Sequence, residues 1–152
     1  MTTHRSTTAA MPVTTTTTTD ESRAADEAAI HAVLAGIYHA WDSGDADAFV
    51  AAYAEDASAI LPGSHRGGRE EIRRNMADGF AGFLKGSTTT NRVGRLRFLG
   101  ADAAVVVSES GILLPGETEV PADRIVNATW VFERRDRGWL VAAYHNSPAS
   151  AG

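Results

Sequence analysis

No cysteine occurs in the 152 residues, which excludes disulfides, thiolate metal sites, iron–sulfur clusters and cysteine nucleophiles together. That absence fits a reducing compartment, and a cytoplasmic location is the expectation. No apolar run approaches the roughly 20 residues of a membrane span, and no signal-peptide core opens the chain. Basic residues number 14 against 19 acidic, for a net charge of −5. The sign is wrong for a phosphate backbone or an anionic membrane surface, so neither is an expected partner. The five histidines (His4, His31, His39, His65 and His145) form no dense ligand motif. A glycine-rich nucleotide turn, a phosphate loop and a Gly-x-Ser-x-Gly elbow are all missing. No metal and no cofactor is expected.

Length and composition set a single domain. Residues 1–19 are mostly threonine, too poor in apolar surface to offset their ordering entropy, and are read as a disordered tail. Met11 is an alternative start to Met1. The domain is expected over 20–148, with a flexible C-terminus at 149–152.

Ile30, Val33, Leu34, Ile37, Tyr38 and Trp41 recur at three- and four-residue spacing, the pattern of one helix face, and predict a helix from about Glu21 to Asp42. Gly44 suits the left-handed end of that helix, and Asp45 can cap a second one over Ala46 to Ala54. A short strand, Ser58 to Leu61, ends at Pro62-Gly63. A glycine-rich loop over 63–68 carries His65 and Arg66, and a third helix is expected from Arg69 to Leu84. Beyond Thr88 the period changes from 3.6 to 2. Four strands are expected: Thr88–Leu99, Ala103–Leu113, Ala122–Arg134 and Trp139–Ser147.

Helices gathered early and strands late indicate an α+β fold. Alternation puts Val126, Ala128, Trp130 and Phe132 on one face of the third long strand. On the last strand it groups Val141, Ala143, His145 and Ser147, opposite Leu140, Ala142 and Tyr144. A curved antiparallel sheet wrapped around three N-terminal helices, with a conical interior, follows from these faces.

The strings Trp41-Asp42-Ser43-Gly44-Asp45, Tyr53-Ala54-Glu55-Asp56-Ala57, Leu61-Pro62-Gly63, Gly68-Arg69-Glu70-Glu71-Ile72 and Gly138-Trp139 resemble, in order and spacing, the nuclear-transport-factor-2-like, SnoaL-like superfamily. The resemblance runs from about Asp26 to Ser147. The closing segment Trp139–Ser147 is similar to the SgcJ/EcaC branch, found in polyketide and enediyne-type natural-product pathways. It implies a cystatin-like α+β barrel with a pocket inside, usually as a homodimer. Where ketosteroid isomerases of this fold carry their acids and tyrosine, this chain has Ile37, Leu61 and Ala128, none able to transfer a proton. Members resembling scytalone dehydratase use a Tyr-Asp pair where Trp41-Asp42 falls, and a histidine where Arg92 falls.

Asp42, at the mouth of such a cone against Trp41, Trp130 and Tyr38, would be poorly solvated, with a raised pKa suited to a general acid or base. Its plain alternative is a bond to the turn at Ser43-Gly44. His145 falls on the strand face assigned to the interior and can exchange a proton near neutrality; its alternative is a packing histidine. Together they are the candidate catalytic couple. Arg92 and Arg124 can turn a guanidinium inward or be salt-bridged at the rim. His65-Arg66 belongs either to a lid or to a solvated loop. Tyr38, Trp41, Tyr53, Phe80, Phe83 and Trp130 are the candidate aromatic lining, two or three of them touching a ligand, which suits a flat or polyene molecule.

The leading expectation is a cofactor-independent isomerase, dehydratase or cyclase acting on a hydrophobic small molecule of natural-product biosynthesis. A non-catalytic protein that sequesters an intermediate or product is the alternative. A third is a dimerisation module, with Ile125, Asn127, Thr129 and Val131 on an outer sheet surface.

Overall fold

The computed structural model describes residues 14–150, with side chains from residue 20 onward. Helix α1 spans Thr14–Asp42 and buries Ile30, Leu34, Ile37 and Ala40, the face that the spacing marks out. It begins at Thr14 rather than near Glu21. Of the expected threonine tail, residues 1–13 lie outside the described residues and 14–19 belong to this helix. Gly44 closes α1 at φ 66°, the Asp45 amide donates to the Ala40 carbonyl at 2.9 Å, and the Asp45 carboxylate accepts from the Ala48 amide at 3.0 Å. One four-residue corner thus ends one helix and starts the next.

Helix α2 is only Ala46–Val50, shorter than expected, because Tyr53 and Ala54 already belong to strand β1, Tyr53–Leu61. The cause is non-local. The Val141 amide reaches the Ala52 carbonyl at 2.8 Å, and Tyr53 pairs with Val141. Pro62-Gly63 is a tight turn with Gly63 at φ 74°, and the expected loop after it is strand β2, Ser64–Gly67. Helix α3, Arg69–Ala81, stops short of Leu84. Strands β3 (Thr88–Phe98) and β4 (Ala103–Leu113), a 3-10 turn at Ala122–Arg124, then β5 (Ile125–Arg135) and β6 (Gly138–Pro148) complete the chain. The C-terminus expected to be flexible is still tied at Ala149, whose amide donates to the Ile125 carbonyl at 2.9 Å; residues 151–152 lie outside the described ones.

The sheet order is β2-β1-β6-β5-β4-β3. Every neighbouring pair is antiparallel except β1 with β6, which run parallel. The α+β expectation holds, with two corrections. The sheet is mixed, and it is curved but unclosed, with β2 and β3 as free edges. The third helix follows the β1–β2 hairpin, in keeping with its expected place after the first strand. Edge β2 is short and edge β3 exposes Arg92, Arg95 and Arg97, features that discourage edge-to-edge pairing. Among the described residues no helix is long and apolar enough to cross a membrane, and no three metal-ligating side chains cluster.

The core forms where α1 lies on the sheet: Ile30 and Leu34 belong to one buried cluster with Val106, Phe132 and Val141. Each such side chain contributes about 1.5–3 kcal/mol through lost water contact. A polar clamp fixes the helix at that end. The Arg134 guanidinium donates to both Asp26 carboxylate oxygens, at 2.9 and 2.6 Å, and the Trp139 indole N–H donates to Asp26 at 3.1 Å. Arg134 also lies over the Trp139 ring, 4.6 Å from its centroid.

Hydrogen bonding from Arg134 holds the Asp26 carboxyl below its ordinary value. A depressed folded-state pKa stabilises above the unfolded-chain value, and that contribution disappears as pH falls through the folded one. Asp26→Asn is therefore expected to destabilise clearly at about pH 7 and progressively less below about pH 4, where the wild type loses the same interaction. Urea unfolding of both proteins across that range reads the difference; an effect independent of pH would contradict it.

Candidate ligand-binding cavity

Between the concave sheet face and α1, α2 and α3 lies a cavity of about 120 Å³. Register explains its walls. One cross-strand row on the inner face runs Arg66–Ala59–Tyr144–Trp130–Val106–Leu96. Ala59 puts only a methyl group between two long side chains, so the row has a gap where the strands are continuous. Helix α1 roofs that gap with Ile37, Tyr38 and Trp41, while Ile72 and Met76 of α3 close one side.

The aromatic walls brace one another. Trp130 meets Tyr144 at 4.4 Å between centroids, and Tyr38 stands edge-on to Trp130 at 6.2 Å. Tyr53 stacks on Phe49 at 5.7 Å. Both indoles in the lining have partners: Trp41 N–H donates to Ser87 Oγ at 2.9 Å and Trp130 N–H to Ser108 Oγ at 3.3 Å. These bonds orient the rings and leave apolar faces toward the hollow.

Of the six aromatic residues expected in the lining, Tyr38, Trp41, Tyr53 and Trp130 are there, and so is Arg124, whereas Phe80 is buried behind the lining against Trp41 and Phe49 and Phe83 is exposed. The Arg124 guanidinium, however, is paired with Glu117 and donates to the Ile112 carbonyl at 3.0 Å, so it is a salt-bridged rim residue. Arg92 is corrected outright: it is exposed on β3, 3.5 Å from Glu109. His65 is likewise outside. It pairs across the hairpin with exposed Ile60, so strand alternation turns it to the outer face and its neighbour Arg66 inward.

The catalytic couple does not form. Asp42 is exposed, and its Oδ1 accepts from the Thr89 amide at 2.8 Å and the Thr89 hydroxyl at 2.9 Å. Its role is to tie the end of α1 to the start of β3. His145 is exposed on the outer face, paired with Thr129 and Ile60. The reason is a bulge. Phe132 pairs with Val141 but Val131 pairs with Ala143, so Ala142 is an extra residue in β6 and alternation resumes one position late. Tyr144 and Asn146 consequently face inward and His145 outward, since a single-residue slip exchanges the two faces of a strand.

Sequence reasoning missed Tyr144 and Asn146, and it put Arg66 on a lid or a solvated loop. A strand reading of Ser64–Gly67 would have found Arg66, but nothing local marks the bulge at Ala142. The polar end of the cavity is built from these three. Asn146 Nδ2 donates to the Tyr144 hydroxyl at 2.8 Å, while Asn146 Oδ1 is buried without a partner. Arg66 Nη1 donates to Met76 Sδ at 3.4 Å, and its Nε is buried without a partner.

Burial raises the Tyr53 phenol well above its ordinary value, with the Tyr144 and Tyr38 phenols adding and Arg66 opposing. Tyr144 and Tyr38 are also raised, chiefly by burial, with the Asn146 amide and the Ser110 and Ser108 hydroxyls respectively pulling back. All three are neutral at physiological pH, so each hydroxyl keeps a hydrogen that it can donate and none serves as a base. Burial lowers Arg66, which nonetheless stays a cation, as arginine does in proteins. The described residues lining the cavity include no carboxylate and no imidazole.

A family model described as a SnoaL-like domain matches residues 30–151. The chain belongs to this SnoaL-like family. A domain of unknown function with a cystatin-like fold from Nostoc punctiforme is 30% identical to this SnoaL-like domain, with a TM-score of 0.79 over 84% of this chain and 79% of that one. An NTF2-like protein from Novosphingobium aromaticivorans shares the fold at 21% identity and a TM-score of 0.78, covering 94% of each chain. A ketosteroid isomerase-like protein from Erwinia carotovora atroseptica superposes with a TM-score of 0.66 at 20% identity, over 82% of this chain and 96% of that one. No curated protein sequence matches this chain.

Proposed function

We propose that this SnoaL-like domain is a small-molecule-binding protein that holds its ligand in the cavity between α1 and the sheet. The observation that carries the reading is a mostly apolar hollow lined by Arg66 and Asn146, two side chains that each keep a buried polar atom, Nε and Oδ1, with no partner in the protein. Buried polar groups are normally satisfied, and leaving one unpaired costs about 1–3 kcal/mol, so a ligand is the natural complement. At about 120 Å³ the hollow is below the range of pockets for drug-sized ligands and close to an engineered cavity that houses benzene. It suits one ring, or one ring of a larger molecule left partly outside, rather than a flat polycycle or polyene.

The resemblance of Trp139–Ser147 to the SgcJ/EcaC branch supports a place in polyketide or enediyne-type biosynthesis, where such a protein would sequester or deliver an intermediate. A second reading keeps catalysis, as a cofactor-free isomerase, dehydratase or cyclase. Favouring it are the protonated phenols and cationic Arg66, donors suited to a developing enolate oxygen. The base would then have to come from the substrate, because the lining supplies none. A homodimer through the outer sheet face, where Ile60, Val107, Thr129 and Val131 lie, accompanies either reading.

The three indole N–H resonances provide the test. Titration of the full chain with methyl benzoate, a neutral one-ring probe, is expected to shift the Trp41 and Trp130 signals saturably and leave Trp139, held on Asp26, in place. Asp42→Asn and His145→Ala are expected to bind as the wild type does. Shifts at Trp139 alone, or none, would remove the cavity as the site.

A further inference from the structure

We propose that the β2 end of the cavity is a carboxylate-binding site made by Arg66 and the Tyr144 hydroxyl, and that the ligands it selects are small aromatic monocarboxylates. This rests on the reading that the cavity holds a ligand, and adds the chemical class.

Arg66 differs from the other cavity arginine in its surroundings. Arg124 is neutralised by Glu117. The carboxylate whose field reaches Arg66 is Glu71, yet Glu71 Oε2 accepts from the Gly67 amide at 2.8 Å and makes no ion pair with Arg66 within 4.0 Å. Arg66 is instead half-buried against Met76, a thioether that offers only a weak acceptor. An unpaired guanidinium in such a place destabilises the empty protein, and an incoming anion removes that penalty.

Geometry selects a carboxylate. With Nη1 on Met76 Sδ and Nε without a partner, the guanidinium has its side-on edge, Nε with Nη2, left to bind. Two parallel N–H groups on that edge match the two oxygens of a carboxylate. Arg66 and Tyr144 occupy one cross-strand row on either side of Ala59, two strand spacings apart, or about 9.6 Å between backbones. The Tyr144 oxygen already accepts from Asn146, so its own hydrogen is free to donate into the gap. Asn146 Oδ1, an unpaired acceptor, repels an anionic oxygen beside it, so the carboxylate sits toward Arg66, with the Tyr144 hydroxyl donating to it from the β6 side. Behind it, the aromatic walls and the volume of about 120 Å³ accept one ring. A phosphate monoester, with more charge than one guanidinium neutralises, fits less well.

Benzoate and methyl benzoate separate this proposal from the reading beneath it, since they share the ring and differ in charge. Calorimetry on the full chain is expected to show benzoate binding more tightly by about tenfold or more. Arg66→Met should erase that preference and raise the melting temperature of the unliganded protein, because it replaces an unpaired cation with an apolar chain of similar length. Arg66→Lys should retain part of the preference as a point charge without the paired edge. Equal affinity of the wild type for both probes, or a preference that survives in Arg66→Met, overturns the carboxylate site and leaves the cavity reading standing. Failure to bind either probe overturns both.

Discussion

Ala59→Leu is expected to abolish methyl benzoate and benzoate binding while leaving the fold intact. Ala59 is buried on the inner sheet face, between Arg66 and Tyr144 in one cross-strand row, and its methyl group is the floor of the cavity. A leucine there projects three more carbons into a space of about 120 Å³. The apolar walls, Ile37, Ile72 and Met76, would contact the new side chain in place of a ligand ring. Burying those carbons favours the substitution and imperfect fit opposes it by about 1–3 kcal/mol, so the two nearly cancel. The melting temperature should stay within roughly 5 °C of the wild type, and the ligand-induced shifts of the Trp41 and Trp130 indoles should vanish. Retained binding would place the ligand elsewhere.

Phe132→Ala should cost the most stability of any single truncation in the sheet. Phe132 is fully buried, stacks on Trp130 with centroids 6.4 Å apart, and stands between Ala104 and Val141 in the ladder. Its neighbours are fixed on both sides by backbone pairing and above by α1, so the vacated volume cannot collapse. Truncations of this kind cost about 3–5 kcal/mol, here a fall of roughly 10–15 °C in melting temperature. Phe132→Leu keeps most of the volume and should lose under about 2 kcal/mol. Urea denaturation midpoints measure both, and similar losses for the two substitutions would show that packing volume is not what Phe132 contributes.

Aromatic walls and catalytic candidates were legible to different degrees. Tyr38 and Trp41 follow from helical spacing on α1, and Trp130 from alternation along β5, because each lies in an uninterrupted element where the period carries directly from residue to residue. His145 lies past the bulge at Ala142, and the same counting that places Trp130 correctly places His145 on the wrong face. The expectation of a poorly solvated Asp42 rests on placing it at the mouth of the cone, against Trp41, Trp130 and Tyr38. In the fold Asp42 is the last residue of α1, open to water and bonded to Thr89.

What the sequence determined on its own was the order of the elements other than β2, the Gly44-Asp45 corner, the helix face that enters the core and membership of an α+β fold with a hollow. These depend on local periodicity and on backbone preferences that a few adjacent residues express. Only the tertiary structure decided that Ser64–Gly67 is a strand, that Ala142 is an extra residue in β6, and therefore that Arg66, Tyr144 and Asn146 line the cavity while His145 does not. The physical reason is that strand faces are assigned by pairing partners far away in the chain. Shifting a ladder by one residue changes no local preference, yet it exchanges every side chain between the cavity and the solvent.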